Sequence, residues 1–503
     1  MGPGRFPTLL GILGVATGMA IGGCSKREAA PSPATEAEAP TPVGGGKIPV
    51  TTASAEAKAE FLQGRDKYEK SLDTDARAHF QKAISLDPNF AWAELALANA
   101  SPTRGEFFDH LHKAVALADK ASHGEKLLIL ANEAAATANP ARQQAYLEQL
   151  AAAYPNDERA HFYLAGYYFG QQDFNPAIEH YKKATELAPS YSNAYNLLGY
   201  AYRQSGDYAS SEKAFQKYIE LLPGDPNPYD SYAELLLKMG RFDDSIVQYR
   251  KALEIDPNFL NAYQGLSMDL LYSGKPGEAE KELAKSLKAA RSAGETRQTL
   301  FARTIVHVDE GQASKALSDL DEQYALGEKT KDVPAMAFDR GLKGLLYAEG
   351  GKADAAKKEY DAALELVQGS DLPQQVKDNQ KLVYHSDMSR VALARKDFVG
   401  ARKEADLFRQ GAEGSKNPAT VRNAHELDGT IALAERDYDR AIAELLQADQ
   451  QNPQDLYRLC EAYGGKGDTA KAGEFCKKAA DFNSIPDVNY ALVRTKAKAW
   501  GQS

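Results

Sequence analysis

Pro155, Pro189, Pro223 and Pro257 stand at a constant interval of 34 residues. Proline removes a backbone donor and pushes the residue before it out of the helical region, so it stops helices. Four stops at one interval mark a repeated unit long enough for two helices and a turn. Units of this size leave an apolar flank bare and bury it by stacking on the next copy. At 503 residues a chain would ordinarily divide into three or four globular domains. The repeat overrides that expectation, because a stacked array grows without a single deep core.

Aligning the segments that begin at Glu158, Ser192, Pro226 and Leu260 assigns a job to each position. The eighth place is small: Ala165, Gly199, Ala233, Ser267. The fourth and eleventh are bulky: His161, Tyr195, Tyr229, Tyr263, then Tyr168, Tyr202, Leu236, Leu270. The turn carries Gly206-Asp207-Tyr208, Gly240-Arg241-Phe242 and Gly274-Lys275-Pro276. On the second helix, Tyr181, Phe215, Tyr249 and Leu283 fall at the twenty-fourth place, and Ala184, Tyr218, Ala252 and Ser286 at the twenty-seventh. Small residues let two antiparallel helices approach, and large ones fill the gap to the next unit.

These positions resemble the tetratricopeptide pattern W-x2-L-G-x2-Y…A-x3-F…P, most clearly over 158–291. The resemblance implies an all-α, right-handed superhelix, an α-solenoid of about eleven helical hairpins. In this frame 51–293 is an N-terminal array, 294–336 a degenerate repeat and 337–486 a C-terminal array, with 487–503 a helix covering the exposed end.

The front of the chain has a different character. Arg5, the apolar run Leu9 to Ile21 and two small residues have the layout of a secretory leader over 1–23. Ile21-Gly22-Gly23-Cys24 resembles a bacterial lipobox, which implies lipidation of Cys24; the alternative is a cleaved, unlipidated leader. Residues 25–50, rich in Pro, Ala, Glu, Thr and Gly, read as a flexible spacer. The expected location is the bacterial cell envelope, tethered by lipid. Ser25 after the cysteine leans toward the outer membrane, facing the periplasm or the cell surface.

Charge and cysteine narrow the function. Without the leader's Arg5, 59 basic residues face 70 acidic ones, a net charge of −11, with no basic block. Nucleic-acid binding, which needs clustered Lys and Arg, is excluded on that ground. Cys460 and Cys476 fall on neighbouring antiparallel helices, where they either form a disulfide or pack as buried thiols.

No HExxH, GxSxG, Walker loop or CxxC pair occurs. Ala348-Glu349-Gly350-Gly351-Lys352 imitates a phosphate loop, but Leu346 holds the place of the upstream Gly and Ala353 that of Ser or Thr. His110 and His112, two apart on a helix, point to different faces. His161 and His425 fall at the packing fourth place. The expectation is therefore no enzyme, no metal and no cofactor.

The resemblance places the inner surface at the second, fifth, ninth, twelfth and thirteenth positions of each first helix. Here those positions supply Arg159, Phe162 and Phe169; Asn193, Asn196, Tyr200 and Arg203; Asn227, Asp230 and Lys238; and Asn261 and Gln264. Asn193, Asn227 and Asn261 recur at one place, either to bond the backbone of an extended peptide or to cap their own helices. The functional expectation is a lipid-anchored scaffold gripping a protein or peptide partner through this groove. The alternative is an accessory lipoprotein for polysaccharide export or envelope assembly that contacts glycan.

Overall fold

The computed structural model describes residues 46–70, 73–101, 104–137, 139–415 and 417–500. The leader, Cys24 and the spacer up to residue 45 lie outside these. Among the described residues there are 25 α-helices and no strand, and no helix is long and apolar enough to cross a membrane. Two compact units divide between Ser231 and Tyr232.

The first unit holds the pairs α1 (Ala55–Glu69) with α2 (Asp73–Leu86), α3 (Ala91–Asn99) with α4 (Arg104–Leu117), and α5 (His123–Ala136) with α6 (Pro140–Ala153). It continues with α7 (Glu158–Gly170) and α8 (Phe174–Leu187), α9 (Ser192–Ser205) and α10 (Tyr208–Leu221), and the start of α11 (Pro226–Lys238). The second unit takes up the rest of α11 with α12 (Phe242–Ile255), then α13 (Leu260–Tyr272) and α14 (Pro276–Ala289). After these come α15 (Ala293–Asp309) and α16 (Ala313–Thr330), α17 (Val333–Glu349) and α18 (Ala353–Gln368), and α19 (Gln374–Ala394) and α20 (Phe398–Ser415). The unit ends with α21 (Pro418–Ala434) and α22 (Tyr438–Leu445), α23 (Pro453–Lys466) and α24 (Thr469–Ala480), and the unpaired α25 (Val488–Trp500).

The described pairs number twelve, one more than the sequence suggested. The segment expected to be a degenerate repeat is a full hairpin, α15 and α16. It escapes the pattern because its helices have lengthened to 17 and 18 residues from the 13 or 14 of the preceding repeats. Starting points drift accordingly: Ala293 to Val333 is 40, and Val333 to Gln374 is 41. A fixed 34-residue ruler loses its place there.

Burial follows the positional alignment. Ala165, Ala233 and Ser267 at the eighth place are fully buried, as are Tyr181, Phe215, Tyr249 and Leu283 at the twenty-fourth. Gly206, Gly240 and Gly274 take φ of 85°, 72° and 77°, a left-handed turn that a side chain resists. The bulky fourth place has a second role beyond packing. Tyr229 and Tyr263 donate their hydroxyls to the carbonyls of Pro223 and Pro257, 3.1 and 3.2 Å away, and a ring nitrogen of His161 lies 3.0 Å from the Pro155 carbonyl. The stop proline and the polar ring six residues later are thus one device: the ring satisfies a carbonyl exposed where the helix ended.

The ends depart from expectation. Residues 46–50 belong by composition to the spacer, yet Ile48 is buried, and the stretch 47–53 that begins there is bonded to three repeats. Composition misses this because the partners lie up to 111 residues downstream. Helix α25 lies against α24 and α23 and also against α15. Its Arg494 forms a two-bond pair with Asp309, and Tyr490 packs edge-on against Tyr272 at 5.2 Å.

Candidate peptide-binding face

In the first unit, α7 supplies Arg159, Phe162 and Phe169 as expected, but none faces open solvent. Phe162, 3% exposed, packs among Tyr163, Tyr181 and Tyr191 with ring centres 5.1–5.7 Å apart. Phe169 meets Phe174 at 5.7 Å. The Arg159 guanidinium pairs with Glu158 and Glu69 and sits 5.6 Å from the Tyr191 ring. These three positions close the array on itself. First helices of successive repeats lie side by side, and their inner positions fill the seam before they reach a ligand.

Helices α9 and α11 retain polar side chains. Tyr200 donates its hydroxyl to Ser231 Oγ at 3.3 Å, and the Arg203 guanidinium lies 4.7 Å from the Tyr200 ring. Asn196 is 4% exposed, and its Oδ1 has no hydrogen-bond partner among the described residues. Asp230 is 2% exposed on the facing helix. A buried carbonyl oxygen without a donor costs roughly 1–3 kcal/mol, so a ligand N–H reaching it would be favourable.

The recurrent asparagines do not cap their helices. Asn227 Nδ2 donates to Tyr218 Oη at 2.8 Å, and Asn261 Oδ1 accepts from Gln298 at 2.9 Å. Asn193 is half-buried, one residue inside the start of α9. The turn is instead organised by Asp225 and Asp256, whose Oδ1 atoms accept the N–H of Asn227 and Asn258 at 2.9 Å.

In the second unit, Lys238 is engaged from within the chain: it donates to the Phe482 carbonyl at 2.6 Å and stands over the Phe482 ring at 3.5 Å. Gln264 is 1% exposed, and its Nε2 has no hydrogen-bond partner among the described residues. The Tyr272 hydroxyl donates to the Ser484 carbonyl at 2.7 Å. The segment preceding α25 therefore occupies inner positions of α11 and α13. Sequence periodicity gave no sign of this, since the contacts join residues 212 and 244 apart.

Cys460 and Cys476, on α23 and α24, are joined as a disulfide with Cα atoms 5.1 Å apart. His110 pairs with Glu94 at 2.6 Å and His425 with Glu444 at 2.7 Å, so both serve as local hydrogen-bonding groups. Gly351, with φ of 70°, turns the chain between α17 and α18 where the phosphate-loop imitation stands. Among the described residues no three His, Cys, Asp or Glu side chains converge to hold a metal.

Tetratricopeptide-repeat family models match residues 130–191, 167–226 and 227–259. The chain therefore carries tetratricopeptide repeats across 130–259. No curated protein matches the sequence. Similar solved structures include a MamA protein, 24% identical over 33% of this chain and 91% of its own, with a TM-score of 0.29. MamA from Desulfovibrio magneticus RS-1 is 15% identical, covers 34% and 96%, and has a TM-score of 0.30. A tetratricopeptide repeat protein from Parabacteroides merdae is 15% identical, covers 57% and 99%, and has a TM-score of 0.35.

Proposed function

We propose that this chain is a non-catalytic interaction scaffold whose first unit takes an extended segment of a partner protein along the α9–α11 face. The repeats supply the framework: stacked helical hairpins are protein-interaction surfaces and assemble no nucleophile, base and oxyanion donor. The observation that carries the reading is Asn196, a buried amide with an unmet acceptor, on the same helix as Tyr200 and Arg203. A peptide N–H meets that acceptor, and the Arg203 guanidinium beside it, 4.7 Å from the Tyr200 ring, makes this end of the face cationic. The leader-like start and Cys24 support a lipid tether at the bacterial envelope, with the array held in the periplasm or at the surface.

The test is site-specific photocrosslinking in the native membrane, with the crosslinking residue at Arg203 or at exposed Gln216 on α10. A discrete protein adduct at 203, absent at 216 and lost on Asn196→Ala, is the expected result. Equal adducts at both positions, or an adduct at 203 indifferent to Asn196, would defeat the proposal. Tethering is checked separately by fractionation: Cys24→Ala releases the chain from the membrane pellet if lipid holds it.

A further inference from the structure

The segment ahead of α1 lies across the starts of three successive first helices like a bound peptide. Ile48 N–H donates to Asp157 Oδ2 at 2.7 Å, Thr51 N–H to Glu125 Oε1 at 2.8 Å, and Ala53 N–H to Asp87 Oδ2 at 3.1 Å. The Lys47 ammonium reaches Glu158 and the Asn156 carbonyl. The strap runs against the order of the repeats, meeting α7 first and α3 last.

Each acceptor divides its two oxygens. Asp157 Oδ1 takes the N–H of Arg159 at 2.8 Å, Glu125 Oε2 that of Ser122 at 2.7 Å, and Asp87 Oδ1 that of Asn89 at 3.0 Å. One oxygen thus organises the local helix start and the other is presented outward to a passing backbone. The apolar contact is equally shaped. A Cβ on Gly124 would stand 2.9 Å from Ile48 Cγ2 and 2.7 Å from the Tyr154 ring, so the absent side chain is what admits Ile48.

We propose that the edge formed by Asp87, Glu125, Asp157 and Glu158 is a peptide-docking track, and that residues 47–53 are its displaceable internal occupant. The partner it fits is an extended segment with a lysine followed directly by a β-branched apolar residue. The lysine is read by Glu158, the apolar side chain by the gap over Gly124, and the backbone by three carboxylates spaced one repeat apart. Only Ile48 of the seven strap residues is buried; Lys47, Pro49, Thr51 and Ala53 are exposed. A segment held by buried Ile48, half-buried Val50, the Lys47–Glu158 pair and a few edge hydrogen bonds opens more often than the helices beneath it. Its covalent attachment through Ser54, the N-cap of α1, keeps it at high local concentration. An outside peptide therefore binds only when it competes with the strap or when the strap is drawn away. No residue of the track belongs to the α9–α11 face, so the two readings stand or fall separately.

The experiment uses the full chain and a fluorescent peptide of sequence Gly-Lys-Ile-Pro-Val-Thr-Thr-Ala. Ile48→Asp places a carboxylate beside Asp157 and frees the strap. The peptide is expected to bind this variant at least ten-fold more tightly than the unaltered chain. Adding Asp157→Asn and Glu158→Gln, or replacing the peptide's lysine by glutamate, is expected to abolish binding. Equal affinity for both chains, no binding to a folded variant, or dimerisation by strap exchange instead of peptide uptake overturns the proposal. Amide exchange on the unaltered chain decides the matter should Ile48→Asp fail to fold. Ile48, Thr51 and Ala53 should then exchange at least a hundred-fold faster than the interior of α5 and α7. Exchange as slow as those helices makes the strap a permanent part of the fold.

Discussion

Gly199 offers the sharpest test of the helix crossing, because its substitution sets two opposing effects of known size against each other. An added Cβ would lie 2.7, 2.8 and 2.9 Å from three carbons of the Phe215 ring. That ring is fully buried and meets Tyr200 edge-on at 5.2 Å, so it cannot simply step aside. In an exposed helix interior, Gly→Ala gains about 1 kcal/mol from backbone entropy and propensity. Overpacking a core by one methyl costs about 1–3 kcal/mol. Gly199→Ala should therefore be neutral to destabilising, by roughly 0–2 kcal/mol. Gly341, inside α17 with no atom within 4 Å of an added Cβ, is the matched control; there Ala should stabilise by about 0.5–1 kcal/mol. Urea unfolding followed by helical circular dichroism gives both values from midpoint shifts at a common slope. The decisive arm is Phe215→Ala: with the ring gone, Gly199→Ala should become favourable, a coupling of about 1–3 kcal/mol. If Gly199→Ala stabilises as much as Gly341→Ala, or behaves the same with and without the ring, the proposed crossing is wrong.

Two further outcomes follow from buried groups in the second unit. Asp269 on α13 is wholly buried, and burial pushes its carboxyl up to about 8 despite nearby Ser245, whose own proton goes to the Ala233 carbonyl. A protonated Asp269 can use the lone pairs Ser245 leaves over. The folded state thus holds a proton that the unfolded chain releases near pH 4, so the contribution of Asp269 to stability is full in acid and is lost as pH rises toward 8. At about 1.4 kcal/mol per unit the loss is several kcal/mol, and Asp269→Asn should make the decline between pH 5 and 8 shallower; an unchanged profile refutes the assignment. Reducing the Cys460–Cys476 bridge opens a loop with a sequence separation of 16, worth about 3 kcal/mol of chain entropy. A reductant should lower the urea midpoint of the unaltered chain and leave a Cys460→Ala/Cys476→Ala variant where it is.

The fold was legible wherever one helix length was repeated. The prolines, the small eighth place and the large twenty-fourth are local requirements of a hairpin, so one sequence declares them. Past Ala293 the helices lengthen and the ruler slips, although the same packing persists, with Gly344 against Tyr360 as Gly199 is against Phe215. The inner face was only half legible. Its positions were placed, but Phe162 turned to the Tyr181–Tyr191 cluster and Lys238 was taken by Phe482. Which inner residue stays available depends on segments that arrive from far along the chain, and no period encodes that. Asp87, Glu125 and Asp157 were missed for a related reason: each reads as an ordinary turn or helix-start residue until the strap is seen across it.

Repeat arrays ordinarily unfold like a row of books, each unit answering only to its neighbours. The pair between Arg494 and Asp309, 185 residues apart, and the bond from Lys238 to Phe482 abolish that independence in the second unit. A break at α15 also forfeits contacts of the last helix, and one at α11 those of the segment before it, so the stretch from 232 to 500 should lose structure in one step. That closure also delays assembly: the final residues must be synthesised before the earlier hairpins gain their full support, and a chain truncated before Val488 should loosen at α13 and α15 as well as at its own end.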